Sequence, residues 1–324
     1  MEARSDMHEA LFQETLAVLG VAVAAGSGES GGEATPSGES KVRCLLCPHG
    51  CVLAEGGTGR CRVRTNRYGT LRAVSYGHVS SLALDPIEKK PLAHFYPGSF
   101  VLSMGSWGCN LGCLFCQNHE ISQQGVPVIK GKGSELLRGD RVFAPEELVS
   151  LALETVPEGN IGIAYTYNEP FCGYEFMYDT ARAVRERGLK NVIVTNGYVE
   201  REPLERILPY VDAMNIDLKA FTERFYRKVC GGSLEPVLDA IRIAAGRTHV
   251  EIATLVIPGL NSSPEEIDAL ATWIAAISPD IPLHLNRHHP DWKMLSPEPI
   301  ARDDLFALSA IARGRLKNVH VGNI

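Results

Sequence analysis

Seven short apolar runs of β type recur through the last two-thirds of the chain, at 99–105, 161–167, 190–195, 211–218, 248–257, 282–286 and 318–322. Between them lie segments of helical periodicity near 145–156, 174–188, 200–209, 233–246, 264–277 and 302–313. Two of these have well-defined starts. Ala144-Pro145-Glu146-Glu147 and Ser263-Pro264-Glu265-Glu266 put proline at the first helical position and acids in the first turn. Gly188 reads as the C-cap of the helix before it. Strand–helix alternation repeated this often predicts a parallel sheet with helices outside it. Eight units close a barrel, and this chain has fewer, so the expected fold is α/β, a partial (β/α)6 TIM-like barrel. The polar residues that follow the strands should gather on one face, since ligands bind outside the carboxyl ends of parallel strands.

The first hundred residues have a different texture. Residues 8–25 read as a short amphipathic helix, and 26–40, rich in Gly, Ser and Glu, as a flexible linker. The expected division is an extension and linker over 1–40, a small cysteine-rich metal-binding region over 41–98, and the partial barrel over 99–324. The longest apolar run, Leu16 to Ala25, contains Gly20 and is too short to span a bilayer. The first six residues carry acid and form no basic leader. The expectation is a soluble cytoplasmic protein with no membrane partner. A net charge of −6 over 324 residues argues against a nucleic-acid partner.

Nine cysteines is an odd number, and seven of them fall in two tight groups. That pattern favours metal ligation over a disulfide framework. Cys109, Cys113 and Cys116 have C-x3-C-x2-C spacing. Three thiolates so close can hold three corners of a cubic iron–sulfur cluster and leave the fourth iron open to a substrate. A structural zinc loop or three separate buried thiols are the other readings. Cys44, Cys47, Cys51 and Cys61 are spaced for a structural zinc or a second iron–sulfur cluster, with His49 as a substitute ligand. The reading leans toward zinc, because a small region gains folding energy from a metal. Cys172 and Cys230 read as small hydrophobes, although Cys230-Gly231-Gly232 lies in a loop that could reach the active face.

The C-x3-C-x2-C run resembles the radical S-adenosylmethionine (SAM) superfamily. Membership implies a [4Fe–4S] cluster on Cys109, Cys113 and Cys116 that reductively cleaves SAM to a 5′-deoxyadenosyl radical, with Phe115 against the adenine. Thr195-Asn196-Gly197, Asp217-Leu218-Lys219 and the His288 region resemble the pyruvate formate-lyase activating enzymes. By that resemblance Asn168, Glu169, Thr195, Asn196, Asp217, Lys219 and His288 hold SAM, and flavodoxin or ferredoxin donates the electron. Two departures stand out. Val194 replaces an acid before Thr195, and Tyr167-Asn168-Glu169-Pro170 replaces Gly-Gly-Glu. Taken without the family, Asp217 and Lys219 can equally pair with each other, and Asn168-Glu169-Pro170 can be a turn.

A longer set of motifs is similar to the AmmeMemoRadiSam-system radical SAM enzymes. It comprises Cys44–Cys51, Gly59–Arg64, Asp85–Leu92, Cys116-Gln117-Asn118 and His289–Met294. That resemblance implies an oxidoreductase working with Memo-like and AMMECR-like proteins on a small molecule. The rivals are a glycyl-radical-enzyme activase and a non-enzymatic zinc-binding scaffold.

Overall fold

A computed structural model describes residues 8–16, 40–126 and 141–324. Its centre is an eight-stranded sheet. The strands are β1 (Ser81–Pro86), β2 (Phe100–Gly105), β3 (Asn160–Tyr165), β4 (Lys190–Thr195), β5 (Ala213–Asp217), β6 (His249–Val256), β7 (Leu283–Arg287) and β8 (Val319–Gly322). They lie side by side in chain order, β2 to β8 all parallel and β1 antiparallel to β2. The helices between them are α1 (Pro145–Glu154), α2 (Tyr174–Glu186), α3 (Arg201–Ile207), α4 (Glu235–Ala245), α5 (Pro264–Ile277) and α6 (Arg302–Arg313). This is the expected partial barrel, widened by one strand that the sequence assigns to the cysteine-rich region. The expected helix starts also form. Glu147 accepts from the Ala144 amide, and the Ser263 hydroxyl accepts from the Glu266 amide.

Alternate residues of the strands face opposite sides of the sheet. One side, with Ile163, Ile193, Met214 and Ile252, packs with apolar side chains of the helices in a single large core. The other side carries Val101, Ala164, Val192 and Ala213. It is filled by Ile87, Leu92 and Phe95 from the segment between β1 and β2. A closed barrel would fill its interior from facing strands. Here a stretch of chain acts as the plug.

The plug is fastened by two side chains of that inner face. Asn215 donates to the Pro91 carbonyl at 2.9 Å. Glu251, fully buried, accepts from the amides of Ala93 and His94 and from the rings of His249 and His284, all at 2.6–2.9 Å. Burial alone would push its pKa up, but these donors outweigh that and hold it near 2.

The amphipathic helix expected over 8–25 does not form in its described part. Gln13–Leu16 is a strand, paired antiparallel with Lys41–Cys44. Backbone pairing on that open edge supplies partners that an isolated short helix lacks. Residues 17–25, and the linker expected over 26–40 apart from Ser40, lie outside the described residues. The N-terminal strands are joined to the barrel by a buried ion pair. Arg64 Nη1 lies 2.9 Å from a carboxylate oxygen of Glu175 on α2, with both side chains 1% exposed. The backbone of Leu11 completes the junction, its amide donating to Glu175 and its carbonyl accepting from Arg64.

Two outcomes follow. Glu175→Ala leaves the Arg64 charge buried and unpaired, and should cost about 3–5 kcal/mol of unfolding free energy in urea. Glu251 binds its proton near pH 2 when folded and near 4.5 when unfolded. The stability it gives is therefore complete above 4.5 and lost as pH falls toward 2. Glu251→Gln should flatten that part of an acid-unfolding curve, measured by circular dichroism.

Candidate active site

The loop after β2 carries Cys109, Cys113 and Cys116 to the carboxyl end of the sheet. There they line a cleft of about 330 Å³. Phe115, Asn168, Glu169, Thr195, Asn196, Asp217 and Lys219 line it too, from the ends of four successive strands, β2 to β5, or the loops after them. His288 does not. It is 1% exposed, outside the cleft wall, and neither ring nitrogen has a partner among the described residues.

The loop is held in place through Glu169. This carboxylate is 2% exposed at the end of β3. One oxygen accepts from the Thr195 hydroxyl (2.8 Å) and the Phe171 amide (3.1 Å), the other from the Asn196 amide (2.8 Å). Burial lifts its pKa to about 7 in spite of those bonds. Asn196 then reaches the cysteine loop. Its amide Nδ2 donates to Asn110 Oδ1 at 2.9 Å and approaches Cys109 Sγ at 3.5 Å. Asn110 in turn donates to the Tyr198 carbonyl. Glu169, Thr195 and Asn196 thus already serve each other, in addition to facing the cleft.

The other side of the loop rests on Tyr226–Cys230, a turn of π-helix. Gly112 and Leu114 donate their amides to the carbonyls of Cys230 and Val229. Gly108, at φ +83°, sits against the Cys61 carbonyl and Val63, where a side chain would collide. The loop is therefore packed between the barrel and the N-terminal cysteine region.

The three thiols differ. Burial raises Cys109 well above its ordinary value, and nearby Glu169 adds to that. Burial also raises Cys116. Cys113 is lowered, because the Cys230 thiol donates to it. Cys172 stands in the same relation to Cys61. Cys172 and Cys230 are both buried in apolar clusters, as small hydrophobes are, and each shares its cluster with a sulfur, Cys61 or Cys113, that only the fold brings near. Lys219 pairs with Asp217 at 2.8 Å, and its ammonium stands 5.9 Å over the Phe115 ring.

The cleft has another side that sequence reasoning did not assign. Lys89 and Lys90 of the plug segment line it. Lys90 is buried, pairs with Asp85 at 2.8 Å and lies 4.5 Å over the Tyr167 ring. Tyr167 also donates to Asp85. The adjacent lysines were visible in the sequence, but only the plug brings them to the cysteines.

All nine cysteines are free. No three histidine, cysteine or carboxylate groups among the described residues already converge as a filled metal site requires. The three cleft thiols still suit a cubic cluster. They share one wall, the Leu111 amide points at Cys109 Sγ from 3.4 Å, and the cavity beside them is large.

Residues 106–274 match the family model described as the Radical SAM superfamily. An uncharacterized protein of Methanocaldococcus jannaschii is 44% identical over 291 residues, 88% of this chain and 82% of that protein. Pyruvate formate-lyase 1-activating enzyme of Escherichia coli is 25% identical over 166 residues, 50% of this chain and 63% of that enzyme. The fold is shared with a crystal structure of a radical SAM methyltransferase from Sphaerobacter thermophilus. The TM-score is 0.53 at 17% identity, over 89% of this chain and 74% of that one.

Glu169→Ala should leave the Thr195 hydroxyl and the amides of Phe171 and Asn196 buried without acceptors, at about 1–3 kcal/mol for each unsatisfied group. Glu169→Gln, which keeps one carbonyl oxygen, should lose less than half as much in a urea titration.

Proposed function

The chain belongs to the radical SAM superfamily and is related to the pyruvate formate-lyase activating enzymes. On that premise we propose that Cys109, Cys113 and Cys116 hold a [4Fe–4S] cluster at which SAM is cleaved. The observation that supports this is the convergence of the three thiols, Phe115 and the polar strand ends on one cleft. Held by these three cysteines, the cluster would supply the electron for reductive cleavage of SAM, the chemistry by which the family abstracts hydrogen from a substrate. A low-potential flavodoxin or ferredoxin donates that electron.

The chain's own residues bind and orient. Asn196 and Asn110 fix the loop that carries Cys109. Lys219 presents a cation above Phe115, suited to a carboxylate. Burial works against that charge, but Asp217, together with the sulfurs of Cys113 and Cys230, outweighs it and raises the ammonium's pKa well above its ordinary range. Asn168 bridges the loops, donating to the Gly108 carbonyl and accepting from the Ser106 amide. The buried flanks of the cleft limit water at the reacting centre.

The substrate in this reading is a small molecule handled together with Memo-like and AMMECR-like proteins, in the manner of the AmmeMemoRadiSam system. The motifs Cys44–Cys51, Asp85–Leu92 and His289–Met294 support it. A second reading, activation of a glycyl-radical enzyme, is favoured by the names of relatives such as the E. coli activating enzyme.

Anaerobically reconstituted protein, reduced with dithionite and given SAM, should release 5′-deoxyadenosine. Cys113→Ala should abolish that product. Release unchanged in Cys113→Ala would remove the site assignment. A glycyl-radical signal on a partner enzyme, seen by electron paramagnetic resonance, would select the second reading.

A further inference from the structure

Behind the cysteine loop lies a second and much smaller cavity. Cys44, Cys47, Cys51 and Cys61 line it, together with Gly59, Arg60, Arg64, Asn110 and Cys172. We propose that these four thiolates hold a single zinc ion, which fastens the N-terminal region to the barrel beside the radical SAM centre.

Size separates an ion from a cluster. This cavity is about 20 Å³. One water-sized sphere occupies roughly 10–15 Å³, so the space admits one ion and not a cube of four irons and four sulfides. The cleft with three thiols is more than ten times larger. The donor set agrees, because four cysteines and no open position describe a closed, structural zinc site.

At Gly59 a side-chain carbon would stand 3.8 Å from Cys61 Sγ and 3.9 Å from Cys51 Sγ, so the glycine keeps the space beside both sulfurs open. Arg64, fully buried, has its guanidinium next to Cys44, and its Nε has no hydrogen-bond partner among the described residues. An unpartnered buried N–H beside a sulfur that would carry charge is accounted for once the sulfur is a metal-bound thiolate.

Two residues of this wall belong to the barrel side. Asn110 is in the loop of Cys109, and a ring nitrogen of His49 lies 2.8 Å from its carbonyl. Cys172 follows Glu169 and packs in one buried cluster with Cys61. The ion would therefore brace the loop that carries the radical SAM thiols. This site goes beyond the radical SAM reading, and metal content tests it without SAM turnover.

The test uses the full chain with Cys109, Cys113 and Cys116 all changed to alanine, purified without added metal. Mass spectrometry of its metals should find about one zinc per chain and essentially no iron, as a closed four-thiolate site requires. Adding Cys47→Ser should remove the zinc. Should that variant not fold, cobalt(II) is loaded into the three-alanine chain after zinc is stripped. The intense visible bands of tetrahedral cobalt thiolate are then expected. Folded three-alanine protein without zinc, absence of those bands, or iron accompanied by acid-labile sulfide would each overturn the proposal.

Discussion

A buried carboxylate must have its oxygens satisfied, and this constraint organises the molecule more than any other. Glu169 does so at the carboxyl end of the sheet, where it draws Phe171, Thr195 and Asn196 into one knot. One face of the cysteine loop depends on that knot. Asn196 holds Asn110, and Asn110 holds the loop. Glu251 plays the corresponding part inside the barrel, and Glu175 at the junction with the N-terminal strands. Each of the three joins segments far apart in sequence. Such groups stabilise little compared with an apolar replacement of the same shape, yet removing one partner is costly. They specify which segments meet.

The cleft consequently has two walls of different origin. The cysteine wall comes from a loop clamped between Asn196, the π-helical turn at Tyr226–Cys230 and the backbone of Cys61–Val63. The basic wall, Lys89 and Lys90, comes from a segment that also plugs the barrel. Apolar filling and cleft chemistry are thus functions of the same short segment, residues 87–95. Asp85 and Tyr167 fix the buried ammonium of Lys90, so its charge faces the cleft from a set position.

The fold was largely legible in the sequence. The parallel strands and their helices announce themselves through apolar runs of β-branched residues alternating with amphipathic segments, and local pattern decides such elements. The cleft was legible wherever residues follow strand ends, as with Glu169, Thr195 and Lys219. Three things were not. Gln13–Leu16 became a strand because a partner edge exists, which no local pattern reveals. His288 lies outside the cleft wall, since position after a strand does not fix the direction of a buried side chain. The contacts of Cys172 with Cys61 and of Cys230 with Cys113 join positions more than a hundred residues apart, and only tertiary packing brings them together.

The order of the strands in the sheet is their order in the chain. No strand has to be inserted between two that are already paired. During synthesis each strand emerges after the neighbour on which it docks, and the growing sheet always offers an edge of the right partner. The loop closures are those of adjacent units and never span the whole sheet, which keeps their entropic cost modest. Topology of this kind lets the barrel assemble progressively from β1 onward, and the cysteine loop between β2 and β3 is clamped once the chain after β4 and β5 supplies Asn196 and the Tyr226–Cys230 turn.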